Sequence, residues 1–105
     1  MSDSAFDPVV QRLREEISEL DASILDAVNA RLELVAALRR HKNAVGLPFV
    51  DPDRERRLLD DLARANRGPL SDEGLRELFC ELLDLTKREV AGDGGPPDRR
   101  GTGRG

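Results

Sequence analysis

The sequence has no tryptophan and no tyrosine, and three phenylalanines supply all of its 3% aromatic content. Large aromatic anchors therefore cannot organise the interior. Leu, Ile, Val and Ala must build it, and that set suits helix packing better than a sheet. Runs of β-branched residues are few, and no stretch alternates polar and apolar with the period of two that a half-buried strand needs. The single cysteine, Cys80, excludes an intramolecular disulfide framework and points to a reducing compartment, the cytoplasm. Cys80 itself reads as a small helical side chain before it reads as a nucleophile. No apolar run reaches the ~20 residues of a membrane-spanning helix. The start Met1-Ser2-Asp3-Ser4 is acidic with no apolar stretch behind it, so no signal peptide is expected. A net charge of −4 argues against nucleic acid or an anionic membrane as the main partner. There is no glycine-rich phosphate loop and no cluster with metal-ligand spacing, so no metal is expected. What is present is 105 residues, 36% of them charged, enough for one small all-α domain.

Asp7-Pro8 reads as a helix start, a capping side chain followed by a proline at the first helical position. From Val10 onward, Leu13, Ile17, Leu20, Ile24, Ala27, Arg31, Leu34 and Leu38 advance by threes and fours. That is the seam of an amphipathic helix. The pattern runs to about Val45, where Gly46 and Pro48 stop it. Such a helix is ~55 Å long. A compact domain of this size has a radius of gyration of only ~13 Å. One chain's remaining helices are too short to cover the rod. Either it breaks or a second chain covers it, and a homodimer with the long helices packed together is the expected arrangement. Leu47 to Val50 form a short connector. Asp51-Pro52 repeats the cap-plus-proline start of a second helix, to about Asn66, with Leu58, Leu59 and Leu62 facing inward. Arg67-Gly68-Pro69 ends it. Ser71 caps a third helix, Asp72 and Glu73 suit its positive end, and Leu75, Leu78, Phe79, Leu82 and Thr86 form its inner face. The expected organisation is a helical domain over 1–91, with helices at about 8–45, 52–66 and 72–91, and a disordered tail over 92–105. The tail's Arg99, Arg100 and Arg104 read as solvated.

Arg31 is the anomaly in this pattern. An unpaired cation in an apolar seam loses several kcal/mol of solvation, so about that much must be returned by an acidic partner or an anionic ligand. Lys42 follows eleven residues later, three turns plus about 20°, and so points the same way ~16 Å along the axis. Arg14 is turned roughly 100° from Arg31, and in an antiparallel pair of long helices it can reach the partner's Arg31–Lys42 region. Asp51, Arg54 and Glu55 share one face of the first turn of the second helix. Each has a bland reading. Arg14 can pair with its glutamate neighbours, Lys42 suits a helix C-terminus, Asp51 is first a cap, and Arg54 and Glu55 can form a solvated face. Taken together they describe a cationic pocket flanked by one or two carboxylates, suited to a small dicarboxylate that carries a hydroxyl. No activated Ser or Cys nucleophile accompanies it. His41 lies beside Lys42 but off its face and reads as a surface histidine.

The run Leu13-Arg14-Glu15-Glu16-Ile17-Ser18-Glu19-Leu20-Asp21, then Arg31, Lys42 and Val50-Asp51-Pro52-Asp53-Arg54-Glu55-Arg56, resembles the all-helical (AroQ-type) class of chorismate mutases over about residues 10–90. The resemblance implies an intertwined homodimer of three-helix protomers with two equivalent sites. It implies the Claisen rearrangement of chorismate to prephenate with no covalent intermediate and no cofactor. By the family's pattern Arg14, from the partner, and Arg31 grip the two substrate carboxylates, and Lys42 donates to the ether oxygen and to a carboxylate. Glu55 accepts from the ring hydroxyl, helped by backbone near Asp51. Arg54 supports the carboxylate network, and Thr86 matches a serine that contacts a carboxylate. Four residues after the Thr86 position the family usually has Gln or Glu as a second donor to the ether oxygen. This chain has Val90. Glu89, one residue early, is the candidate replacement; it would need a helix distortion or a local shift to reach and would have to be protonated, so activity would fall as pH rises. One short subclass of the family is activated by docking on a shikimate-pathway enzyme, which makes such an enzyme a candidate partner.

Alternatives remain on the same scaffold. In a 4-amino-4-deoxychorismate mutase Glu55 would face an ammonium. An isochorismate pyruvate lyase is disfavoured by the intact Asp51–Arg56 block. A non-catalytic helical dimer, a scaffold or regulatory module, would explain Val90 but leaves Arg31 without an account.

Overall fold

The computed structural model describes residues 7–91; residues 1–6 of the expected domain and the expected arginine-bearing tail over 92–105 lie outside them. The described residues form three helices and no strand: α1 (Pro8–Val45), α2 (Pro52–Ala65) and α3 (Asp72–Ala91). The all-α, three-helix fold with one very long first helix is the one the apolar periodicity points to.

The three helix starts and the end of α1 each have a local chemical cause. Asp7 Oδ1 accepts from the amides of Val9 (2.9 Å) and Val10 (3.3 Å), satisfying donors the first turn of α1 leaves open. At the other end Gly46 adopts φ +78°, a conformation that costs any side chain-bearing residue. That turn lets Gly46 N donate to the Asn43 carbonyl (3.4 Å) and Leu47 N to the Lys42 carbonyl (2.8 Å), the paired bonds of a Schellman stop. Asp51 caps α2 by accepting from Arg54 N at 3.2 Å, with Pro52 at the first helical position. Ser71 Oγ accepts from Gly74 N at 2.9 Å and caps α3.

Internal contacts divide the chain, within α1, into a unit of residues 1–33 and a unit of residues 34–105. The described part of the first unit is a single amphipathic stretch of α1. Its apolar seam stands open, with Ile17 at 55%, Leu20 at 63% and Ile24 at 60% exposure. In the second unit α2 packs on α3. Leu75, Thr86 and Val90 are buried on α3, and Leu58, Leu59 and Leu62 of α2 are half-buried as expected of an inner face. Leu78 departs from the expectation: it is exposed, because the buried stripe of α3 runs through 75, 79, 82, 86 and 90 and leaves 78 at its margin. Arg76 ties the two helices by donating to Asp60 of α2 (3.2 Å) while its Nε bonds Asp72 (3.1 Å). Hydrogen bonds to Asp72, then Asp60, raise the Arg76 guanidinium above its ordinary pKa. A raised value means its share of stability is complete at neutral pH and lost only above the arginine range.

Candidate active site

The residues expected to form the site fall in both units. Arg14 and Arg31 belong to the first, where Arg14 is exposed and Arg31 half-buried. No residue of α1 is buried, so the seam around Arg31 is not a closed interior in the single chain. Among the described residues nothing buries the apolar neighbours of Arg31, and the cover expected for this seam is a second chain.

The second unit holds Lys42, Asp51, Arg54, Glu55, Thr86 and Glu89. Lys42 is constrained at both ends. Its carbonyl receives the Leu47 amide in the Schellman stop, and its half-buried Nζ donates to the Phe49 carbonyl at 3.3 Å. The Phe49 ring in turn lies under the Arg39 guanidinium, 5.8 Å from its centroid, within cation–π range. The connector that carries Phe49 is therefore pinned to the last turns of α1 just ahead of Asp51. An ammonium that bonds one neutral carbonyl among the described residues keeps two further donors for a guest.

Asp51 spends Oδ1 on the α2 cap, and its carbonyl accepts from Glu55 N at 3.1 Å. The cap fixes the turn that presents Arg54 and Glu55. Arg54 is exposed; Glu55 is half-buried and makes an ion pair with Lys87 of α3, Nζ standing 3.2 Å from Oε1 and 3.2 Å from Oε2. Thr86 is 4% exposed, and its Oγ1 donates to the Leu82 carbonyl at 2.7 Å. Thr86 would have to leave that bond before it could donate to a carboxylate. Val90 continues the buried stripe one turn on, at 3% exposure, whereas Glu89 is exposed. α3 runs as α-helix through Ala91, so Glu89 has no helix distortion to turn it inward and would need a local shift to reach. His41 and Cys80 are exposed.

Two participants were not legible from the sequence. The Phe49 carbonyl is backbone and leaves no residue-type signature. Lys87 lies 32 residues from Glu55, on another helix, and no within-helix spacing rule connects them.

The fold and the site together define an all-helical protein that sets a fixed lysine ahead of a capped, carboxylate-bearing helix start, with arginines spaced along the long first helix. Residues 13–90 match the family described as chorismate mutase type II, and this chain belongs to that family. It is 37% identical over 82 residues, 77% of this chain and 76% of the relative, to a 4-amino-4-deoxychorismate mutase of Streptomyces venezuelae. It is 29% identical over 76 residues, 71% of this chain and 77% of the relative, to a chorismate mutase of Methanocaldococcus jannaschii. Among solved structures it resembles the form II chorismate mutase of Thermus thermophilus, with a TM-score of 0.75 and 34% identity, covering 78% of this chain and 93% of that one.

Proposed function

We propose that this chain catalyses the Claisen rearrangement of chorismate to prephenate as a homodimer in the cytoplasm, with no cofactor. Each site takes Arg31, Lys42, Asp51, Arg54, Glu55 and Thr86 from one protomer and Arg14 from the other. The observation that carries the reading is Lys42, held by its own helix stop and by Phe49, directly ahead of the Asp51-capped turn that bears Glu55. The open apolar seam of α1 supports the dimer, since leucines and isoleucines at that exposure along one stripe are a surface awaiting cover. No described helix is long and apolar enough to cross a membrane.

The reaction is intramolecular: one C–O bond breaks, one C–C bond forms, and no proton or electron need be exchanged with the protein. The protein's tasks are shape and charge. Salt bridges at both carboxylates hold the substrate in a compact chair with the reacting carbons close. Negative charge grows on the ether oxygen as the C–O bond stretches, and an ammonium fixed there favours the transition state over the ground state. One such preorganised donor is worth about 3–4 kcal/mol, against a barrier reduction of at least ~8 kcal/mol for an ordinary enzyme. Conformational restriction by the arginines supplies the remainder, for which ~7–11 kcal/mol is attainable in principle. With Val90 at the buried position and Glu89 outside, the reading rests on Lys42 as the donor to the ether oxygen and leaves Glu89 out of the reacting set.

A second reading, a 4-amino-4-deoxychorismate mutase, is supported by the Streptomyces relative. The test is to incubate the purified protein with chorismate, its 4-amino analogue and isochorismate, follow each by chromatography, and repeat with Arg31→Ala. Conversion of chorismate to prephenate, lost in the variant with helicity and dimer mass retained, is the expected result. Inertness toward all three would leave a non-catalytic dimer as the better account.

A further inference from the structure

We propose that Lys87 sets the substrate preference of this site, selecting a guest that presents a neutral hydroxyl to Glu55 over one that presents an ammonium. The inference rests on the proposed function, in which Glu55 meets the ring substituent.

The geometry is specific. Lys87 Nζ lies at the same distance, 3.2 Å, from both oxygens of the Glu55 carboxylate, so it straddles the group from the α3 side. Both side chains are only partly exposed, 37% for Lys87 and 28% for Glu55, so solvent screens the pair incompletely. A carboxylate offers about four lone-pair positions, so bonding Lys87 leaves Glu55 able to accept from a hydroxyl as well. The charge balance is a separate matter. With Lys87 in place the pair is neutral overall, and a hydroxyl docks against it without changing that. An ammonium guest would bring a second cation to a carboxylate already matched, and would have to repel or displace Lys87. Without Lys87 the relation inverts, because Glu55 then presents an uncompensated negative charge that favours the ammonium. Two unit charges a few ångströms apart in a partly solvated site interact strongly enough to change a ratio of rates tenfold or more.

The experiment compares kcat/KM for chorismate and for 4-amino-4-deoxychorismate in the full-length wild type, Lys87→Met, Lys87→Gln and Lys87→Arg. The wild type is expected to favour chorismate. Both charge-removing variants are expected to move the ratio of the two kcat/KM values toward the amine by about tenfold or more, and Lys87→Arg to keep the wild-type ratio. A purely structural ion pair would slow both substrates alike and leave the ratio fixed. An unmoved ratio in Lys87→Met and Lys87→Gln overturns the proposal while turnover by the wild type leaves the proposed function standing. A wild type that prefers the amine also overturns it. A wild type that converts neither substrate removes the proposed function and this proposal with it.

Discussion

At the scale of single residues the proposed site turns on how firmly one ammonium is held. Lys42 is fixed through its carbonyl and through Nζ, so its charge is placed before any substrate arrives. Lys42→Ala is expected to lower kcat by about 10²–10³, the usual loss for one preorganised donor, with the helical circular dichroism unchanged because a half-buried lysine contributes little to packing. Glu89→Ala, at an exposed position of a regular helix, is expected to alter kcat by about twofold at most, in line with the ±0.5 kcal/mol typical of surface changes. Rate profiles against pH for the two variants check both statements. The residues themselves were legible unevenly. Arg31 betrayed itself by interrupting an apolar period, and Asp51, Arg54 and Glu55 by standing at cap and i+3, i+4 spacing. Lys87 and the Phe49 carbonyl gave no such signal, because what matters about them is proximity across elements.

At the scale of elements, the stops and starts between α1 and α2 do the positioning. Prolines at the first helical turns, Asp caps and Gly46 after the last turn of α1 are local chemistry, which is why the three helices could be read from the chain. The margin of α3 could not: whether Leu78 or Phe79 bounds the buried stripe depends on how α2 lies across it, and that is a tertiary fact. The turn at Gly46 can be tested directly. Its φ of +78° with open space around the position means that an added methyl meets backbone strain and no clash. Gly46→Ala should therefore cost about 1–2 kcal/mol, a drop in Tm of several degrees, on the order of 4–8 °C per kcal/mol for a domain of this size. Its effect on kcat should exceed what that loss of stability explains, since the same turn receives the Leu47 amide on the Lys42 carbonyl and sets the reach from Nζ to Phe49. Thermal melts and initial rates on the same preparation separate the two effects.

At the scale of the whole molecule, a seam of Leu13, Ile17, Leu20 and Ile24 left open along α1 is the physical reason to expect a second copy, and the placement of Arg14 makes the expectation sharp. Symmetric dimers bury the same patch on both subunits and repeat each site twice. If each site draws Arg14 from one protomer and Lys42 from the other, then Arg14→Ala and Lys42→Ala homodimers are both nearly inactive, because every site lacks one cation. Mixed and allowed to exchange subunits, the two variants form heterodimers in which one site carries both defects and the other carries none. Random pairing makes about half of the dimers mixed, each with one intact site of two, so activity should recover to about a quarter of wild type. A site built within one chain gives no recovery at any mixing ratio, since no protomer then holds both residues. Exchange itself can be followed by mass, with one variant isotopically labelled, so that absence of recovery with heterodimers present counts against the shared site and not against the mixing. The recovered fraction reads out which chain supplies Arg14, a question that the periodicity of a single helix poses and that only the pairing of two can answer.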